Sequence, residues 1–259
     1  MTLIFDKYQG AGNDFIIIDN RDEKLKLSSK QISALCNRRF GIGADGLILV
    51  EKSDIADFAM KFYNSDGKTA SMCGNGGRCI AKYAYDHKIA GQDMKFTADD
   101  GTHEASIIDN ENVKIKMIDV KGIKVFEDGM WTNTGVPHFV KFVNDINKID
   151  VKKEGRLLAD DKRFAPDRTN VNFIDNNGGY RIATYERGVE GETLACGTGT
   201  VATALCINTK ENMPSPITIK AKGGLLKVYF EKNNCEYKNI WLEGPAIKVF
   251  EGETDGNKI

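Results

Sequence analysis

A chain of 259 residues has room for two modest domains or one large one, and its 41% hydrophobic and 28% charged residues are ordinary for a globular protein. The formal net charge is −1 and no basic block occurs, so we expect neither nucleic acid nor an anionic membrane surface as a partner. No apolar run approaches the ~20 residues of a membrane span, and six thinly spread cysteines are unlike a secreted disulfide framework, so we predict a cytoplasmic protein.

In the first half of the chain, predicted strands are interspersed with predicted helices. A serine cap and apolar residues at Ile32, Leu35 and Cys36 predict a helix over residues 28–40. Alternating or apolar runs predict strands at residues 3–7, 16–18, 47–50, 58–63, 94–97, 103–108 and 113–117. Between the fourth and fifth of these strands, a glycine-rich turn at residues 72–79 leads into a helical run over residues 80–85.

The pattern begins again near residue 119. Four landmarks recur at offsets of 122–124 residues: Gly12 and Gly135, Arg39 and Arg163, Tyr63 and Tyr185, and Cys73 and Cys196. Such a period exceeds the ~20–50 residues of solenoid repeats. We therefore predict two similar, pseudo-symmetric domains, residues 1–118 and 119–246, with residues 247–259 returning to the first. The predicted fold class is mixed α/β, each domain having a sheet and a helix with a cysteine at its N-terminus.

Cys73 and Cys196 each lie in a glycine-rich turn that enters a helix. Backbone N–H groups at such a helix start favour a bound carboxylate or phosphate. The helix dipole favours a thiolate, so we expect both turns to lower the pKa of their thiols. Two thiols on matching turns suit removal of a proton from one face of a carbon and delivery to the other. The pair therefore predicts racemisation or epimerisation of a small anion.

Other interpretations of the cysteines stay open at this point. Both could be small buried core residues, and a thiol-redox or binding protein without enzymatic activity needs no particular cysteine spacing. A metal site is not predicted, because Cys73 and Cys79 lack the short spacing of structural zinc ligands. No cofactor is predicted either, because Gly10-x-Gly12 and Gly41-x-Gly43 lack the full dinucleotide fingerprint and no P-loop motif occurs.

Longer motifs surround the two cysteines. Asn64-Ser65-Asp66-Gly67 leads to Met72-Cys73-Gly74-Asn75-Gly76-Gly77-Arg78-Cys79, and Glu186-Arg187-Gly188 leads to Ala195-Cys196-Gly197-Thr198-Gly199. With Gly12-Asn13-Asp14-Phe15, Pro137-His138 and Thr169-Asn170-Val171-Asn172-Phe173, they make the whole chain resemble the diaminopimelate epimerase family. The resemblance implies two α/β domains, each a mixed sheet wrapped around a central helix, in a homodimer. It also implies cofactor-independent interconversion of LL- and meso-2,6-diaminoheptanedioate for lysine and peptidoglycan synthesis.

The same resemblance implies roles for single residues. Cys196 is similar to the proton acceptor and Cys73 to the donor for the LL substrate, with His138 and Glu186 tuning the pKa values of the thiols. Four residues resemble the turns that hold the reacting α-carboxylate: Gly74, Asn75, Gly197 and Thr198. Five resemble the positions that hold the distal end of the substrate: Asn13, Asn64, Asn170, Glu186 and Arg187. An arginine with a carboxylate and amides suits a second zwitterionic centre.

An enzyme of the same fold that racemises proline or epimerises hydroxyproline is the alternative. Asn64, Asn170 and Arg187 argue against so short a substrate.

The chain departs from the family pattern by one extra residue between Glu186 and Cys196, which we assign to Glu190. Some relatives also carry a glutamine where Gly46 stands, an asparagine where Val136 stands, and a tyrosine at the position of Phe250.

Overall fold

The computed structural model of the protein describes residues 2–70 and 72–256. The chain divides into two units, the first comprising Met1–Ile115 and Pro245–Ile259, and the second Lys116–Gly244. The sequence-based domain boundaries lie after residues 118 and 246, and the interpretation of the two halves as epimerase domains stays a prediction. In the segment predicted to return to the first domain, residues 247–256 belong to the first unit, and residues 257–259 lie outside the described residues.

The first unit combines strands with two α-helices. Its strands are β1 (Thr2–Gly10), β2 (Asn13–Asp19), β3 (Gly46–Glu51), β4 (Phe58–Asn64), β5 (Asp93–Ala98), β6 (Gly101–Ile107), β7 (Asn112–Lys116) and β17 (Ile247–Asp255). Its helices are α1 (Ser29–Cys36) and α2 (Gly74–Asp86).

These strands form a mixed sheet in the order β17-β1-β2-β3-β4-β5-β6-β7. The β2–β3 and β4–β5 pairs are parallel, and the other pairs are antiparallel. Helix α2 packs against β1, β2, β3, β6 and β17, and it is buried from Asn75 to Ala84. A helix that contacts strands from opposite halves of a sheet is its core, so the sheet of the first unit wraps around α2.

The second unit follows the same plan. Its strands are β8 (Lys124–Phe126), β9 (Gly129–Asn133), β10 (Pro137–Phe142), β11 (Asn170–Asp175), β12 (Arg181–Glu186), β13 (Gly191–Thr193), β14 (Ile217–Ala221), β15 (Gly224–Asn233) and β16 (Glu236–Pro245). Its α-helices are α3 (Val151–Ala159) and α4 (Gly197–Glu211), and short 3-10 turns lie at Ile146–Lys148 and Lys162–Phe164.

Helix α4 is the core of the second unit. The pairs β10–β11 and β12–β14 are parallel, and the remaining pairs of the unit are antiparallel. α4 packs against β9, β10, β11, β14 and β15, and Gly197 and the run from Gly199 to Asn208 are buried. The prediction of a mixed α/β fold, with each sheet wrapped around one helix, is confirmed.

The predicted helix over residues 28–40 is too long. Ser28 caps α1 as expected, with Gln31 completing the capping box, but the helix ends at Cys36. Asn37 is extended, and its side chain accepts hydrogen bonds from Arg39 N at 2.9 Å and Phe40 N at 3.0 Å. This turn competes with the helix, since short polar side chains bind nearby backbone N–H groups. In the described ranges, no helix is both long and apolar enough to cross a membrane.

Candidate active site

Cys73 caps the N-terminus of α2. Its Sγ accepts a hydrogen bond from Gly76 N at 3.2 Å, and its carbonyl accepts one from Gly77 N at 2.8 Å. The residue is partly exposed. A Cβ on Gly77 would lie 2.5 Å from Ile115 Cδ1, so the side chain of Ile115 packs directly against this turn. The first turn of α2 therefore presents a thiol next to backbone N–H groups, an arrangement that favours an anion.

Arg78 is a fully buried cation on α2. Its guanidinium donates to three neutral acceptors: Gly74 O at 3.1 Å, Pro245 O at 3.3 Å and Asn75 Oδ1 at 2.8 Å. Burial lowers its pKa, and the neighbouring cysteine thiols act in the opposite direction. None of these acceptors is a carboxylate, so the positive charge of Arg78 is available to favour a thiolate at Cys73 or a bound anion.

Asn13 and Asn75 meet beside this turn. Asn75 Nδ2 donates to Asn13 Oδ1 at 3.4 Å, and Asn13 Nδ2 donates to Asp45 Oδ2 at 2.7 Å. The backbone carbonyl of Asp45 accepts from Ser65 N at 3.1 Å. Asp45 thus links Asn13 to the turn that starts at Asn64, an exposed residue at the end of β4.

Cys196 holds the corresponding position before α4 and is buried. Its carbonyl accepts hydrogen bonds from Thr200 N and Thr200 Oγ1, both at 2.9 Å. Its Sγ lies 3.4 Å from Thr198 Oγ1. The backbone of Thr198 is itself held, because Thr134 Oγ1 donates to its carbonyl at 2.9 Å. The first turn of α4 is therefore tied to the segment that follows β9.

The pKa of the Cys196 thiol is raised to about 12, first by burial and then by the negative charge of Glu186. The Thr198 hydroxyl and the Gly199 N–H act in the opposite direction but are the smaller causes. The expectation that this helix start lowers the pKa of Cys196 is wrong. Burial of the thiolate and the charge of Glu186 outweigh the hydrogen-bond donors at this helix start, so Cys196 is a protonated thiol at neutral pH.

His138 is fully buried beside Thr198. Its Nε2 lies 2.9 Å from Thr198 Oγ1, and its Nδ1 lies 3.1 Å from Asn172 Nδ2. Burial, with a smaller contribution from the charge of Arg187, lowers the pKa of His138 to about 3, so the ring is neutral. A continuous line of contacts, the imidazole relay, thus runs from Asn172 through His138 and Thr198 to Cys196.

Glu186 and Arg187 begin the turn between β12 and β13. Thr193 Oγ1 donates to Glu186 Oε1 at 2.6 Å and orients that carboxylate. Arg187 N donates to Asn170 Oδ1 at 3.0 Å, and its Nη1 donates to the carbonyl oxygen of Asp167. Asn170, at the start of β11, therefore holds the backbone of the turn that carries the predicted distal-site arginine.

Glu190, which we assign as the extra residue, closes the same turn. Its carboxylate accepts from Gly188 N at 2.9 Å and from Tyr185 Oη at 2.7 Å. Arg168 contacts both carboxylate oxygens, with Nη1–Oε1 at 2.8 Å and Nη2–Oε2 at 3.1 Å. We call Glu190, Arg168 and Tyr185 the turn anchor, because together they fix the loop that carries Arg187.

A cavity of about 440 Å³ opens beside Arg187 in the second unit. Its lining includes the basic residues Lys124, Arg163, Arg168 and Arg187. A larger cavity of about 680 Å³ runs along β1 in the first unit, and none of the predicted site residues lines it. Arg163 and Arg168 are already paired with carboxylates, and Asp167 also lines this cavity. The smaller cavity is still the better candidate for binding a carboxylate, because Arg187 lines it.

Within each unit, the structure brings most of the predicted site residues together. In the first unit these are Cys73, Gly74, Asn75 and Asn13, with Asn64 on the neighbouring turn. In the second they are Cys196, Gly197, Thr198, His138, Glu186, Asn170 and Arg187. The roles assigned to them stay predictions. Nowhere in residues 2–70 and 72–256 do three or more His, Cys, Asp or Glu side chains group as a metal site would require.

Sequence reasoning missed five residues that organise these clusters: Asp45, Arg78, Arg168, Asn172 and Thr193. Arg78 lies inside the motif around Cys73, and Asp45 lies two residues after Gly43. No separate pattern marks either residue as functional. Asn172 follows Asn170 by two positions, and alternate residues of a strand share a face. That spacing is the signal that could have found Asn172.

The fold has relatives among solved structures. The Bacillus anthracis phenazine biosynthesis protein of the PhzF family superposes with a TM-score of 0.77, covering 98% of this chain and 99% of that one at 15% identity. A hydroxyproline epimerase from Agrobacterium vitis, with bound trans-4-hydroxy-L-proline, gives a TM-score of 0.68 over 98% and 92% at 13% identity. Identities this low show the fold alone. The chain is thus an α/β protein of the fold that these two proteins share.

Sequence comparison identifies the family. The profile described as Diaminopimelate epimerase matches residues 5–122 and 130–249. The diaminopimelate epimerase of Flavobacterium psychrophilum is 44% identical over 252 residues, which cover 95% of this chain and 97% of the relative. The chain belongs to the diaminopimelate epimerase family, and it is an isomerase. The resemblance inferred from the cysteine motifs is confirmed.

Proposed function

We propose that this chain interconverts LL- and meso-2,6-diaminoheptanedioate without a cofactor, with Cys73 and Cys196 as paired acid–base groups. One observation carries the proposal. Each half of the chain has a cysteine at the N-cap of a buried helix whose first turn contains at least two glycines, and the two cysteines are 123 positions apart. Family membership supports this substrate and a place in lysine and peptidoglycan precursor synthesis.

The two thiols have separate tasks in this proposal. Inverting a carbon centre requires a proton to leave one face and another to arrive at the opposite face. Cys196 takes the proton of the LL substrate and Cys73 delivers one, with the roles exchanged in the reverse direction. Because Cys196 is protonated at neutral pH, its own proton must first pass to Glu186, the carboxylate that acts on it and that Thr193 orients. The Thr198 hydroxyl then stabilises the resulting thiolate.

The negative charge that develops on the substrate needs hydrogen-bond donors. Backbone N–H groups at Gly74, Asn75, Gly197 and Thr198 lie at helix starts, where oriented dipoles stabilise a carboxylate as its neighbouring carbon loses a proton. The distal amino-carboxylate end is assigned to Asn13, Asn64, Asn170, Glu186 and Arg187. The basic cavity beside Arg187 supports this assignment, because a planar guanidinium can bind a carboxylate through two hydrogen bonds.

Deuterium uptake from solvent tests the reaction. The enzyme in heavy water should introduce deuterium at Cα of LL-diaminopimelate and form the meso isomer, while L-proline and trans-4-hydroxy-L-proline should take up none. Deuterium in proline instead would favour the proline-racemase alternative. Binding of diaminopimelate without any exchange would favour a binding protein and reject the proposed reaction.

We further propose that the enzyme acts in the cytoplasm as a homodimer. Thiols that transfer protons must stay reduced, which a reducing compartment ensures. For dimerisation, the support is the family resemblance and Phe250 on β17, a large apolar side chain that is 45% exposed at the position where some relatives carry a tyrosine. In sedimentation experiments the parent should be a dimer, and Phe250→Glu should dissociate to monomers at higher protein concentration than the parent does. A monomeric parent would reject this proposal.

A further inference from the structure

We propose that Asn172 is a positioning residue that fixes the tautomer of His138 and so makes the Thr198 hydroxyl a hydrogen-bond donor to Cys196. The inference deepens the proposed function, because it rests on Cys196 being one of the two reacting thiols. Asn172 itself touches neither sulfur. It acts through the other members of the imidazole relay.

The orientation of the Asn172 amide follows from its neighbours. Its Nδ2 lies 3.4 Å from the carbonyl oxygen of Phe139, an atom that can only accept, and its Oδ1 accepts from Thr184 Oγ1 at 2.9 Å. Turning the amide over would place two oxygens against each other at Phe139. The network therefore assigns Nδ2, which lies 3.1 Å from His138 Nδ1, as a donor to the imidazole.

The tautomer of His138 follows from that donor. A ring nitrogen that accepts a hydrogen bond carries no proton, so the single proton of the neutral ring lies on Nε2. Nε2–H donates to Thr198 Oγ1 at 2.9 Å. The one hydroxyl proton of Thr198 is then free to point elsewhere, and Cys196 Sγ lies 3.4 Å away. The relay thus ends in an O–H group directed at the sulfur, which stabilises its thiolate.

The relay has little freedom to rearrange. Asn172 and His138 are fully buried, and Thr184 is only 3% exposed. Asn172 pairs with Thr184 across the β11–β12 ladder, so strand register sets this contact. A Cβ on Gly199 would lie 2.5 Å from Asn172 Oδ1 and 3.2 Å from His138 Cε1, so the first turn of α4 closes directly over the pair. Side chains held by strands and close packing keep one geometry.

Asn172→Asp tests the assignment with almost no change in shape. A carboxylate only accepts hydrogen bonds, so it should draw the imidazole proton to Nδ1. Nε2 would then accept from Thr198, whose hydroxyl would no longer serve the sulfur. Losing a hydrogen bond to a charged group predicts a fall in kcat of about 10- to 100-fold. KM should stay within about two-fold, because Asn172 does not bind the substrate.

Nitrogen NMR of the imidazole rings reads the tautomer without any need for activity. The chain has three histidines, so His87→Gln and His103→Gln suffice to assign the signals of His138. The parent should show a neutral ring protonated at Nε2, and Asn172→Asp a ring protonated at Nδ1. Asn208→Asp is the matched control, since this buried amide donates to Met213 O at 2.7 Å and lies outside the relay. It should keep the parent tautomer and kcat.

Two results would overturn the inference. One is a parent ring protonated at Nδ1, which can be seen even if Asn172→Asp fails to fold. The other is an Asn172→Asp enzyme with the reversed tautomer and the parent's kcat. An inactive parent would reject the proposed function instead, and the ring spectrum would still decide the tautomer.

Discussion

The thiol of Cys196 shows how strongly burial can oppose a helix N-terminus. The helix dipole, the Thr198 hydroxyl and the Gly199 N–H favour a thiolate, yet burial and the charge of Glu186 raise the pKa to about 12. A thiol in this state is suited to donate a proton, and it needs an acceptor before it can remove one. The carboxylate that raises the pKa is therefore also the group that can receive the proton.

Both thiols should be required for turnover. Cys73→Ala and Cys196→Ala should each lower epimerisation by ~10²–10⁴-fold or more, because general acid–base groups contribute about that much and each thiol serves one face of the reacting carbon in the proposal. The measurement is the rate of deuterium uptake at Cα by variants whose circular dichroism matches the parent. Cys235→Ala is the matched control, since this thiol is exposed and lies outside both clusters. Near-normal turnover by either folded variant would reject the two-thiol mechanism.

Much of each cluster, but not its electrostatics, could be predicted at this scale. Glycine-rich turns with cysteines were recognisable because the residues that build them are contiguous in the chain. The raised pKa of Cys196 and the contact of Asn172 with His138 could not be predicted, because both depend on burial and on contacts between distant segments. His138 reaches Asn172 across 34 residues and Thr198 across 60. Local sequence patterns do not predict contacts between residues this far apart in the chain.

At the scale of elements, the first turn of α4 needs glycine at position 199 because Asn172 and His138 pack directly against it. Gly199→Ala would normally favour a helix by about 1 kcal/mol. Here the added Cβ would meet Asn172 Oδ1 at 2.5 Å, and overpacking of this kind costs about 1–3 kcal/mol. We expect the variant to be up to about 2 kcal/mol less stable than the parent by urea denaturation, with a lower kcat.

A matched glycine outside the helix gives the comparison. Gly91→Ala adds the same methyl group where the nearest atom, Asp93 O, is 3.9 Å away. It should change neither the urea midpoint nor kcat. A Gly199→Ala enzyme with unchanged stability and turnover would show that α4 can move away from Asn172 at no cost.

The turn anchor should control substrate affinity more than chemistry. Glu190→Gln keeps the side-chain shape but removes the charge that Arg168 contacts at both oxygens. The loop carrying Arg187 should then sample more conformations, which raises KM for diaminopimelate while kcat changes less. Steady-state kinetics measure the changes in KM and kcat separately. Glu236→Gln, which breaks an exposed ion pair with Lys238, is the control. An unchanged KM in Glu190→Gln would show that the turn anchor does not affect substrate binding.

A glycine-rich turn leading into a helical run predicted each central helix, and apolar spacing predicted the strands of the first half, because such spacing reflects which face is buried. The end of α1 could not be predicted in the same way. Apolar spacing ends at Cys36, but the polar residues that follow are compatible with either a helix or a turn. The hydrogen bonds of the Asn37 side chain decided the outcome, and Phe40 is left 91% exposed.

At the scale of the whole molecule, buried His138 makes stability depend on pH. Its pKa is about 3 in the folded protein against an ordinary value of 6.5. Below pH 6.5 the unfolded chain binds a proton that the folded protein does not, so stability is fully present above pH 6.5 and is lost as the pH falls toward 3. From pH 7 to pH 5, the loss from this group should be about 2 kcal/mol.

Urea denaturation at pH 7 and pH 5 checks this expectation. His138→Gln should show a smaller difference between the two pH values than the parent, whatever its absolute stability. His103→Gln leaves the buried imidazole in place and should keep the parent's difference. If His138→Gln and the parent lose equal stability on acidification, another group is responsible.

The hydrogen bond from Gly76 to Cys73 also bears on how the protein ages. Asn75-Gly76 is a sequence prone to deamidation, because glycine lets its backbone nitrogen reach the preceding side-chain amide. Here that N–H is bound to the sulfur and the Asn75 amide is buried, so the folded helix blocks the reaction. Asn177-Gly178 has the same sequence in an exposed turn. Stored enzyme should therefore accumulate acidic forms at Asn177 without losing activity. Warming that unfolds the start of α2 should also allow irreversible deamidation of Asn75, two residues after Cys73.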